Sequence, residues 1–342
     1  EHSVESNVDL DPYDLVYLHT ITRVHETHAQ MLNAKAFGVP AVTRPLYNSK
    51  ADLDDYLRRG QTKTIKRAYS LLGSFERYQK ARTMYYATRN RHIGEGLRQL
   101  RRGYQQQQRD VVLGTFMTPD SQMEMDDIQM ELGVRSAAQL VVPNSLEVSD
   151  EAERADSALF FKKHGLRDII FFPGRIEPLK NQVGLMRALS TMDVPVFCAG
   201  GVHGSHASYF AEFQELLDAH SNYHYLGFVD RGLLYSALRS AHVVVMPSWT
   251  ENSGHVALEG GLMGANVVST KRGYGRWYLQ DDAWYCDPGD SASIRSAVES
   301  ALEAPRGARP LRDRLLAEFS PEKAARSLYR AFATAIEHHH SV

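Results

Sequence analysis

Short apolar runs alternate with longer amphipathic stretches along most of the chain. Apolar runs of about four to eight residues between turn residues are typical of buried strands, and apolar residues three and four apart are typical of helices. The alternation therefore predicts an α/β fold in which helices connect the strands of a parallel sheet. Because the strand segments are continuously apolar, we expect helices to cover both faces of each sheet.

The first part of the chain is predicted to contain four strands and three helices. The predicted strands cover residues 13–18, 41–44, 111–116 and 139–142, and the predicted helices cover residues 23–36, 64–91 and 121–132. The last of these helices has a clear beginning in Thr118-Pro119-Asp120 and a clear end in Leu132-Gly133, since proline and aspartate favour helix starts and glycine favours helix ends.

A second series of elements follows a polar, acidic stretch at residues 147–156. Its predicted strands cover residues 168–172, 194–199, 223–227, 242–246 and 266–269. Its predicted helices cover residues 181–190, 206–220 and 231–239, a segment that begins near Gly254, and a C-terminal run. The two series predict two α/β domains joined near residue 147.

The composition is that of a globular protein, with 43% hydrophobic, 23% charged and 10% aromatic residues among 342. It excludes a mainly disordered, collagenous or disulfide-scaffolded chain. No apolar run approaches the roughly 18 residues of a membrane helix, and the first residues lack the apolar core of a signal peptide. Cys198 and Cys286 lie in apolar, strand-like surroundings, which favours buried thiols in a reducing cytoplasm over a disulfide. The absence of an initial Met leads us to expect a processed or trimmed chain.

The net charge of −2 conceals a strongly basic segment, because residues 58–109 contain fourteen Lys or Arg and two acidic residues. One interpretation is a solvated helical face. A second is a patch for an anionic membrane surface or a lipid-linked acceptor, because the cations alternate with aromatic and aliphatic residues as in interfacial helices. It would place the protein in the cytoplasm, peripherally on the inner face of the membrane. Nucleic acid is disfavoured because no recognised motif accompanies the charge.

The most informative stretch runs from Val243 to Glu259. An apolar strand segment is followed by Pro247-Ser248-Trp249-Thr250, by Glu251-Asn252-Ser253-Gly254, and by a predicted helix that carries Glu259. A turn of small residues before a helix presents backbone N–H groups at its positive end, which is a favourable site for an anion. Glu251 and Glu259 are far enough apart to contact different parts of one elongated ligand, and carboxylates accept hydrogen bonds from sugar hydroxyls.

A second loop carries two cations at the end of another predicted strand. The strand at residues 168–172 leads into Gly174, Arg175 and, five residues later, Lys180. Ligands of open α/β sheets bind at the carboxyl ends of the strands, where this loop lies. Arginine offers a planar fork of donors and lysine a mobile point charge, a combination that suits a diphosphate.

Together these residues resemble the retaining glycosyltransferases of family four, which have the GT-B fold and use nucleotide-sugar donors. The matching pieces are Gly174-Arg175 with Lys180-Asn181, Pro247-Ser248 with Glu251 and Glu259, Leu226-Gly227-Phe228-Val229, Val142-Pro143-Asn144, and Phe319-Ser320. The resemblance is good from about residue 111 onward. It implies an acceptor-side domain at 1–147, completed by a C-terminal helix at 320–337, and a donor-binding domain at 148–319.

The resemblance also assigns roles to individual residues. Arg175 and Lys180 would bind the donor diphosphate and stabilise the charge that develops on it. Glu259 would hold the ribose hydroxyls and Glu251 the hydroxyls of the donor sugar. The remaining phosphate cradle would come from Gly174 and from the backbone amides of Ser253, Gly254 and His255. The family needs no metal and no organic cofactor; the donor would be a UDP- or GDP-linked sugar.

One histidine in the first part is a further candidate. The predicted strand at residues 13–18 leads directly into His19, and the stretch from Tyr13 to His19 resembles the family strand that ends in a functional histidine beside the donor sugar. His19 would then hydrogen-bond the sugar or the reacting phosphate, and Arg44 would line the same cleft. A packed strand-end histidine is the alternative. A metal site made of His19, His25 and His28 is disfavoured because no carboxylate-rich ligand set accompanies it.

We expect transfer of a hexosyl unit to an acceptor hydroxyl, on a lipid-linked molecule or a polysaccharide, with retention of anomeric configuration. The alternatives are an inverting GT-B transferase, a sugar-nucleotide epimerase, or a non-catalytic donor-binding subunit of a split enzyme. The last alternative arises because the strand before His19 lacks the Gly-rich opening loop of the family. At roughly 30 residues per βα unit, two or three missing units would shorten the first domain by roughly 60–90 residues. Gly200 and Gly201 lack dinucleotide-loop spacing, and we expect them only to shape the backbone.

Overall fold

A computed structural model describes residues 8–22, 24–89 and 103–341. The chain divides into two compact units. The first unit consists of Glu1–Asp54, Ala68–Ser145 and Pro321–Val342, and the second consists of Asp55–Arg67 and Leu146–Ser320. In both units the strands are parallel, as predicted.

The first unit is built on a sheet of three described strands in the order β1-β2-β3. Its elements are β1 (Val16–His19), α1 (Val24–Phe37), β2 (Ala41–Arg44), α2 (Lys50–Asp55), α3 (Lys63–Leu72), α4 (Phe75–Arg89), α5 (Tyr104–Gly114), β3 (Phe116–Met117), α6 (Gln122–Leu132) and the C-terminal helix α16 (Pro321–Ser341). Helices α2 and α3 each extend across a unit boundary. Val111 and Ile128 pack with Met117 in one core, and Ala331 and Ala335 of α16 pack with Val42 in another.

The second unit is built on a six-stranded sheet in the order β6-β5-β4-β7-β8-β9. Its strands are β4 (Ile169–Pro173), β5 (Val196–Ala199), β6 (Tyr223–Tyr225), β7 (Ala241–Met246), β8 (Asn266–Thr270) and β9 (Trp284–Cys286). Its helices are α7 (Asp150–Arg154), α8 (Ala158–His164), α9 (Gln182–Ala188), α10 (Ala207–Ala219), α11 (Arg231–Ser240), α12 (His255–Leu262), α13 (Gly275–Leu279), α14 (Ser291–Glu303) and α15 (Leu311–Glu318), with a π-helical turn at Tyr56–Gly60 and a 3-10 turn at Gly204–His206.

The central strands of the second unit are buried on both faces, which explains why their sequences are continuously apolar. All five residues of β4 and all five of β8 are buried. Cys198 and Cys286 lie in β5 and β9 as free, buried cysteines, as the sequence predicts. Burial raises the pKa of each thiol to about 12, so neither is a reactive thiolate at neutral pH.

Several predicted elements of the first unit are wrong. The predicted strand at 111–116 is mostly the end of helix α5, on which Gln107, Gln108, Val111 and Val112 form one buried face. Buried residues three and four positions apart are typical of a helix. The prediction of a strand was wrong because it relied on the two adjacent valines, which are β-branched and favour strands. The predicted strand at 139–142 is reduced to a single bridge between Gln139 and Met117.

Three further predictions differ from the structure, two of them about helices and one about a strand. The predicted helix at 64–91 is divided by Gly73, which has φ of +73°, into α3 and α4; residues 90–91 lie outside the described residues, as do residues 90–102 of the basic segment. The polar linker at 147–156 contains the short helix α7. The predicted C-terminal helical run conceals the strand β9.

The sequence predicts that all of residues 1–147 belong to the first domain, but Asp55–Arg67 groups with the second unit. The reason is a set of contacts with distant residues. Arg272 donates to the Asp55 carboxylate at 2.9 Å, and the rings of Tyr56 and Trp249 lie 6.3 Å apart. Contacts of this kind carry no local sequence signal.

In the part of the chain that the structure describes, no helix combines the length and the apolar character needed to cross a membrane.

Candidate functional site

Two loops meet at the carboxyl edge of the second unit's sheet. Strands β4 and β7 are neighbours, so the loop after β4 and the loop after β7 emerge side by side. The Trp249 N–H donates to the Leu179 carbonyl at 2.9 Å. The Asn181 side-chain amide donates to the Pro247 carbonyl at 3.1 Å and to the Pro288 carbonyl at 2.9 Å. These bonds fix the two loops to each other.

The contact between the loops brings together two predicted site residues that are 71 positions apart in the sequence. Lys180 Nζ lies 2.6 Å from Glu251 Oε1, and their side chains are 20% and 10% exposed. At this low exposure the ion pair is weakly screened, and each group depends on the other for its neutralisation. The site therefore presents one mobile cation beside a carboxylate that still has acceptor capacity.

Arg175 does not share this ion pair. Its guanidinium lies 3.0 Å from Glu177 Oε1, and its side chain is 71% exposed. Glu177 is buried, and its other carboxylate oxygen lies 3.9 Å from His206 Nε2. Glu177 was not singled out from the sequence, although a carboxylate two residues after a candidate phosphate-binding arginine was a local signal for it. The structure thus places Arg175 at the exposed rim and Lys180 in a more shielded position.

The helix after the second loop carries the other predicted glutamate. Gly254, with φ of +69°, forms the N-cap of α12, and the first N–H groups of a helix have no partner within it. Ser253 and Gly254 are buried, and His255 is exposed. Glu259 lies one turn further along and is half-buried. Burial raises the pKa of its carboxyl, an effect that the charge of Arg231 opposes.

Two glycines allow the backbone to approach closely around the site. At Gly273 an added Cβ would lie 1.9 Å from the Glu251 carbonyl oxygen, and the neighbouring Tyr274 N–H donates to that same oxygen at 2.8 Å. At Gly200 an added Cβ would lie 2.1 Å from the Gly174 carbonyl oxygen. Gly201 has nothing within 4 Å of such a Cβ. The steric requirement therefore falls on Gly273, which sequence reasoning missed, and on Gly200.

His19 and Arg44, the two predicted residues that remain, lie in the first unit. His19 ends β1, is exposed, and packs edge-on against Tyr17 with ring centroids 4.6 Å apart. Arg44 pairs with Asp120 and donates to Asn144 Oδ1 at 2.7 Å. Asn144 in turn donates to Asp120 at 2.9 Å, so Arg44 is committed to a largely buried polar network.

The histidines near His19 are held by nearby carboxylates. His28 Nε2 lies 3.2 Å from Asp110, and His25 Nε2 lies 3.6 Å from Glu26. Among residues 8–22, 24–89 and 103–341 there is no group of three or more His, Cys, Asp or Glu side chains that could hold a metal ion.

A surface cavity of about 240 Å³ lies at the other edge of the same sheet. It is lined by Asn266 and Trp284, the first residues of β8 and β9, together with Arg309 and Arg312. Because the strands are parallel, this cavity lies at their amino ends. It is therefore separate from the loops that carry Lys180 and Glu251.

Comparison with known proteins places this architecture in a class. Parallel sheets with helices, divided into two units, are the arrangement of the GT-B glycosyltransferase fold, and solved structures with this fold match nearly the whole chain. Residues 156–333 match the family model of the glycosyl transferases group 1. The chain belongs to this family of glycosyltransferases. A search of curated protein sequences gave no match.

Three of the similar solved structures illustrate the likeness. Sucrose-phosphate synthase from Thermosynechococcus elongatus is 16% identical, with a TM-score of 0.70 over 95% of this chain and 75% of that one. Anabaena HepE in complex with UDP-glucose is 15% identical, with a TM-score of 0.65 over 94% and 80%. A trehalose-phosphate synthase from Burkholderia xenovorans in complex with glucose-6-phosphate is 11% identical, with a TM-score of 0.64 over 93% and 73%. At these identities the likeness establishes the fold.

Proposed function

We propose that the protein transfers a hexosyl unit from a nucleoside-diphosphate sugar to an acceptor hydroxyl with retention of anomeric configuration. The observation that carries the proposal is the 2.6 Å contact between Lys180 and Glu251. It places a cation suited to the diphosphate directly beside a carboxylate suited to the hydroxyls of the transferred sugar. HepE, which shares the fold, has been solved with UDP-glucose, and this supports a nucleotide-sugar donor.

The other candidate residues would take the remaining parts of the donor. Arg175 and the first turn of α12 would hold the diphosphate, since a guanidinium and a helix N-terminus both attract phosphate. Glu259, one turn into α12, would accept hydrogen bonds from the ribose hydroxyls. For His19, at the exposed end of β1, contact with the sugar or the reacting phosphate stays a prediction. None of these groups has to serve as a covalent nucleophile.

In the reaction we propose, the bond between the anomeric carbon and the phosphate oxygen breaks while the acceptor oxygen bonds to the same face of that carbon. The leaving phosphate takes the proton of the acceptor hydroxyl. The protein contributes mainly by stabilising the charge on the departing diphosphate with Lys180 and Arg175. Groups preorganised for developing charge are typically worth ~2.7–4 kcal/mol each.

The test begins with a thermal-shift screen of UDP- and GDP-linked sugars, because a ligand that binds only the native state raises Tm with its occupancy. The donor that stabilises the protein is then incubated with acceptors, and the anomeric configuration of the product is read by NMR. Retention supports the proposal, and inversion or epimerised donor contradicts it. Donor binding without transfer or hydrolysis by the purified chain would favour a non-catalytic donor-binding subunit.

We further propose that the acceptor lies at an anionic membrane surface and that helices α3 and α4 contact this surface. Leu71, just before the turn between the helices, is 88% exposed. Lys63 and Arg67 precede it at intervals of four residues on the same face of α3, and both are exposed. Within the described residues neither cation, nor Arg77 on α4, makes an ion pair. An exposed leucine flanked by free cations suits an interface with anionic lipid.

Vesicle sedimentation tests this surface. We expect binding to vesicles of phosphatidylcholine with phosphatidylglycerol, little binding to phosphatidylcholine alone, and weaker binding at high salt. The double variant Lys63→Glu/Arg67→Glu and the variant Leu71→Asp should each reduce binding. Met130→Asp, which changes another highly exposed apolar residue of the first unit, is the matched control. Equal binding to both vesicle types, or equal loss in the control, would contradict the proposal and favour a solvated helical face.

A further inference from the structure

The π-helical turn at Tyr56–Gly60, together with Asp55, forms a segment that we call the bracing segment. It lies more than eighty positions before Leu146, where the main part of the second unit begins, yet it belongs to that unit. No sequence motif assigns it to the candidate site. Its contacts fall on the loops after β7, β8 and β9, and two of these loops hold Glu251 in place.

The first set of contacts reaches Trp249, two residues before Glu251. Trp249 is 4% exposed, and the Arg59 guanidinium carbon lies 5.6 Å from the centre of its ring. Gly60 lies so close to the indole that an added Cβ would be 2.5 Å from both Nε1 and Cε2. Since the ring is enclosed by these contacts, the bracing segment restricts the backbone on the N-terminal side of Glu251.

The second set of contacts is a network of ion pairs. The Asp55 carboxylate accepts from Arg272 at 2.9 Å, and Arg59 lies 3.2 Å from the same carboxylate. Arg59 and Arg272 each also lie 3.9 Å from Asp287, the first residue after β9. All of these side chains except Arg59 are less than 30% exposed, so the network is partly shielded from water.

Arg272 connects this network to Glu251, because the two residues that follow Arg272 lie against the Glu251 backbone. The residue after it, Gly273, is the one whose added Cβ would lie 1.9 Å from the Glu251 carbonyl oxygen. The next residue, Tyr274, donates its N–H to that oxygen. The backbone of Glu251 is thus held between a loop that Asp55 fixes and a tryptophan against which Gly60 packs.

We propose that Asp55 and Gly60 are positioning residues that fix Glu251 for the donor sugar. This inference rests on the proposed function, because it takes Glu251 to contact the sugar of a nucleotide-sugar donor. The bracing segment makes no described contact with Arg175 or Glu259, and it reaches Lys180 only through Glu251 and through the Trp249 bond to Leu179. Its loss should therefore weaken recognition of the sugar more than recognition of the nucleoside diphosphate.

The experiment compares two ligands in two variants, Asp55→Asn and Gly60→Ala. We expect the affinity for the nucleoside diphosphate to fall clearly less than turnover, by no more than about fivefold, because Lys180 loses only the alignment of its partner Glu251. Turnover of the nucleotide sugar should fall roughly 10- to 100-fold, because a displacement of about 1 Å at a reacting geometry can cost this much. Asp55→Glu, which keeps the charge, should recover part of the loss. Equal losses for both ligands, or turnover within twofold in both variants, would overturn the proposal.

Two matched variants control for general damage to the second unit. Glu299→Gln removes an ion pair with Arg295 at 2.8 Å on α14, and Gly204→Ala adds a methyl group that meets nothing within 4 Å. Both should leave turnover unchanged. Circular dichroism and Tm identify any variant that fails to fold. Asp55→Asn, which adds no heavy atom, remains informative if Gly60→Ala fails to fold.

A measurement without substrate separates this inference from the proposed function. Hydrogen exchange at residues 250–254 should be faster in Asp55→Asn than in the wild type, because the loop loses its support. Unchanged exchange would overturn the positioning role whatever the reaction is. Faster exchange in a protein that neither binds nor turns over nucleotide sugars would overturn the proposed function alone.

Discussion

Glu251 in the second unit and Glu124 in the first are both shielded carboxylates, but their partners differ. Glu251 is neutralised by one flexible cation, Lys180, at 2.6 Å. Glu124 is fully buried and accepts from the backbone N–H groups of Tyr47 at 2.6 Å and Asp120 at 2.7 Å. A lysine side chain can turn toward an incoming phosphate, whereas backbone donors stay where the fold puts them. The comparison separates a carboxylate that can serve a ligand from one that fixes a structure.

The surroundings of Glu124 support the structural role. Tyr47 and Ser49 belong to the loop after β2, and both donate side-chain hydroxyls to Glu131, the second-last residue of α6. Two glutamates of one helix therefore fix a single loop. Burial, aided by the nearby Asp120 charge, raises the pKa of Glu124 to about 8. The Glu251 backbone is held by its neighbours, but its carboxylate accepts from a side chain, Lys180, where that of Glu124 accepts from backbone N–H groups.

The largest effect that would test the comparison is expected for Lys180→Ala. The variant removes the proposed diphosphate cation and leaves Glu251 without its neutralising partner. We expect turnover to fall roughly 10²–10³-fold, which corresponds to ~2.7–4 kcal/mol of transition-state stabilisation. Steady-state kinetics with the donor found by the thermal-shift screen measure it.

The control for Lys180→Ala is Arg187→Ala, which removes a half-exposed cation that pairs with Glu212 in the same unit. We expect its turnover to match that of the wild type, since exposed ion pairs contribute little. Turnover of Lys180→Ala within threefold of wild type would show that the pair with Glu251 is structural, as the bonds of Glu124 are.

The residues of the candidate site could be predicted from the sequence better than the contacts that hold them in place. Glu251, Glu259, Arg175 and Lys180 could be singled out as candidates because each lies in a short motif that follows a strongly apolar strand. The pairing of Lys180 with Glu251 depends on β4 and β7 being neighbours, and strand order is set by tertiary packing. The contact between Asp55 and Arg272 spans 217 positions and leaves no trace in local sequence.

The fold shows the same division. The strands of the second unit were found within a few residues because they are buried on both faces, except β9, which has three residues. In the first unit, short strands and a helix with two adjacent valines gave weaker patterns. The Ser121-x-x-Glu124 spacing was a local capping signal, and Ser121 does cap α6 by accepting from the Glu124 N–H at 3.1 Å. The second role of Glu124, in which its carboxylate accepts from the Tyr47 N–H, could be recognised only in the structure.

A smaller effect is expected when Glu124 is replaced. Glu124→Gln puts an amide NH₂ where an oxygen accepted a backbone N–H, and a buried group left unsatisfied costs about 1–3 kcal/mol of unfolding free energy. The same variant tests the raised pKa. The folded state keeps a proton that the unfolded state loses near its ordinary pKa of 4.5, so the wild-type stabilisation is full below that pH and is lost as pH rises through about 8.

Urea denaturation between pH 5 and pH 9 measures this dependence. We expect the wild type to lose more stability over the range than Glu124→Gln, which cannot ionise. The exposed Glu303→Gln on α14 should behave like the wild type. Parallel pH profiles for Glu124→Gln and wild type would contradict a proton held on Glu124 in the folded state.

The smallest effect concerns Glu259, which is intermediate between the two carboxylates because it is half-buried and burial raises its pKa. As a ligand for ribose hydroxyls it should accept better when ionised, so affinity for the nucleotide sugar should rise with pH through the raised pKa. We expect a change of up to about tenfold, or ~1.4 kcal/mol, measured by calorimetry between pH 5 and pH 7.5. The nucleotide sugar is used because it lacks a terminal phosphate that titrates in this range.

Two variants assign this dependence to Glu259. Glu259→Gln should bind more weakly at pH 7.5 and should lose the dependence, since its side chain carries no titrating proton. Arg231→Gln removes the charge that opposes the shift, so the rise in affinity should move to higher pH. A pH slope that persists in Glu259→Gln would assign the titration to another group, and Glu259 would then resemble Glu124, a carboxylate whose protonation matters to the fold and not to the ligand.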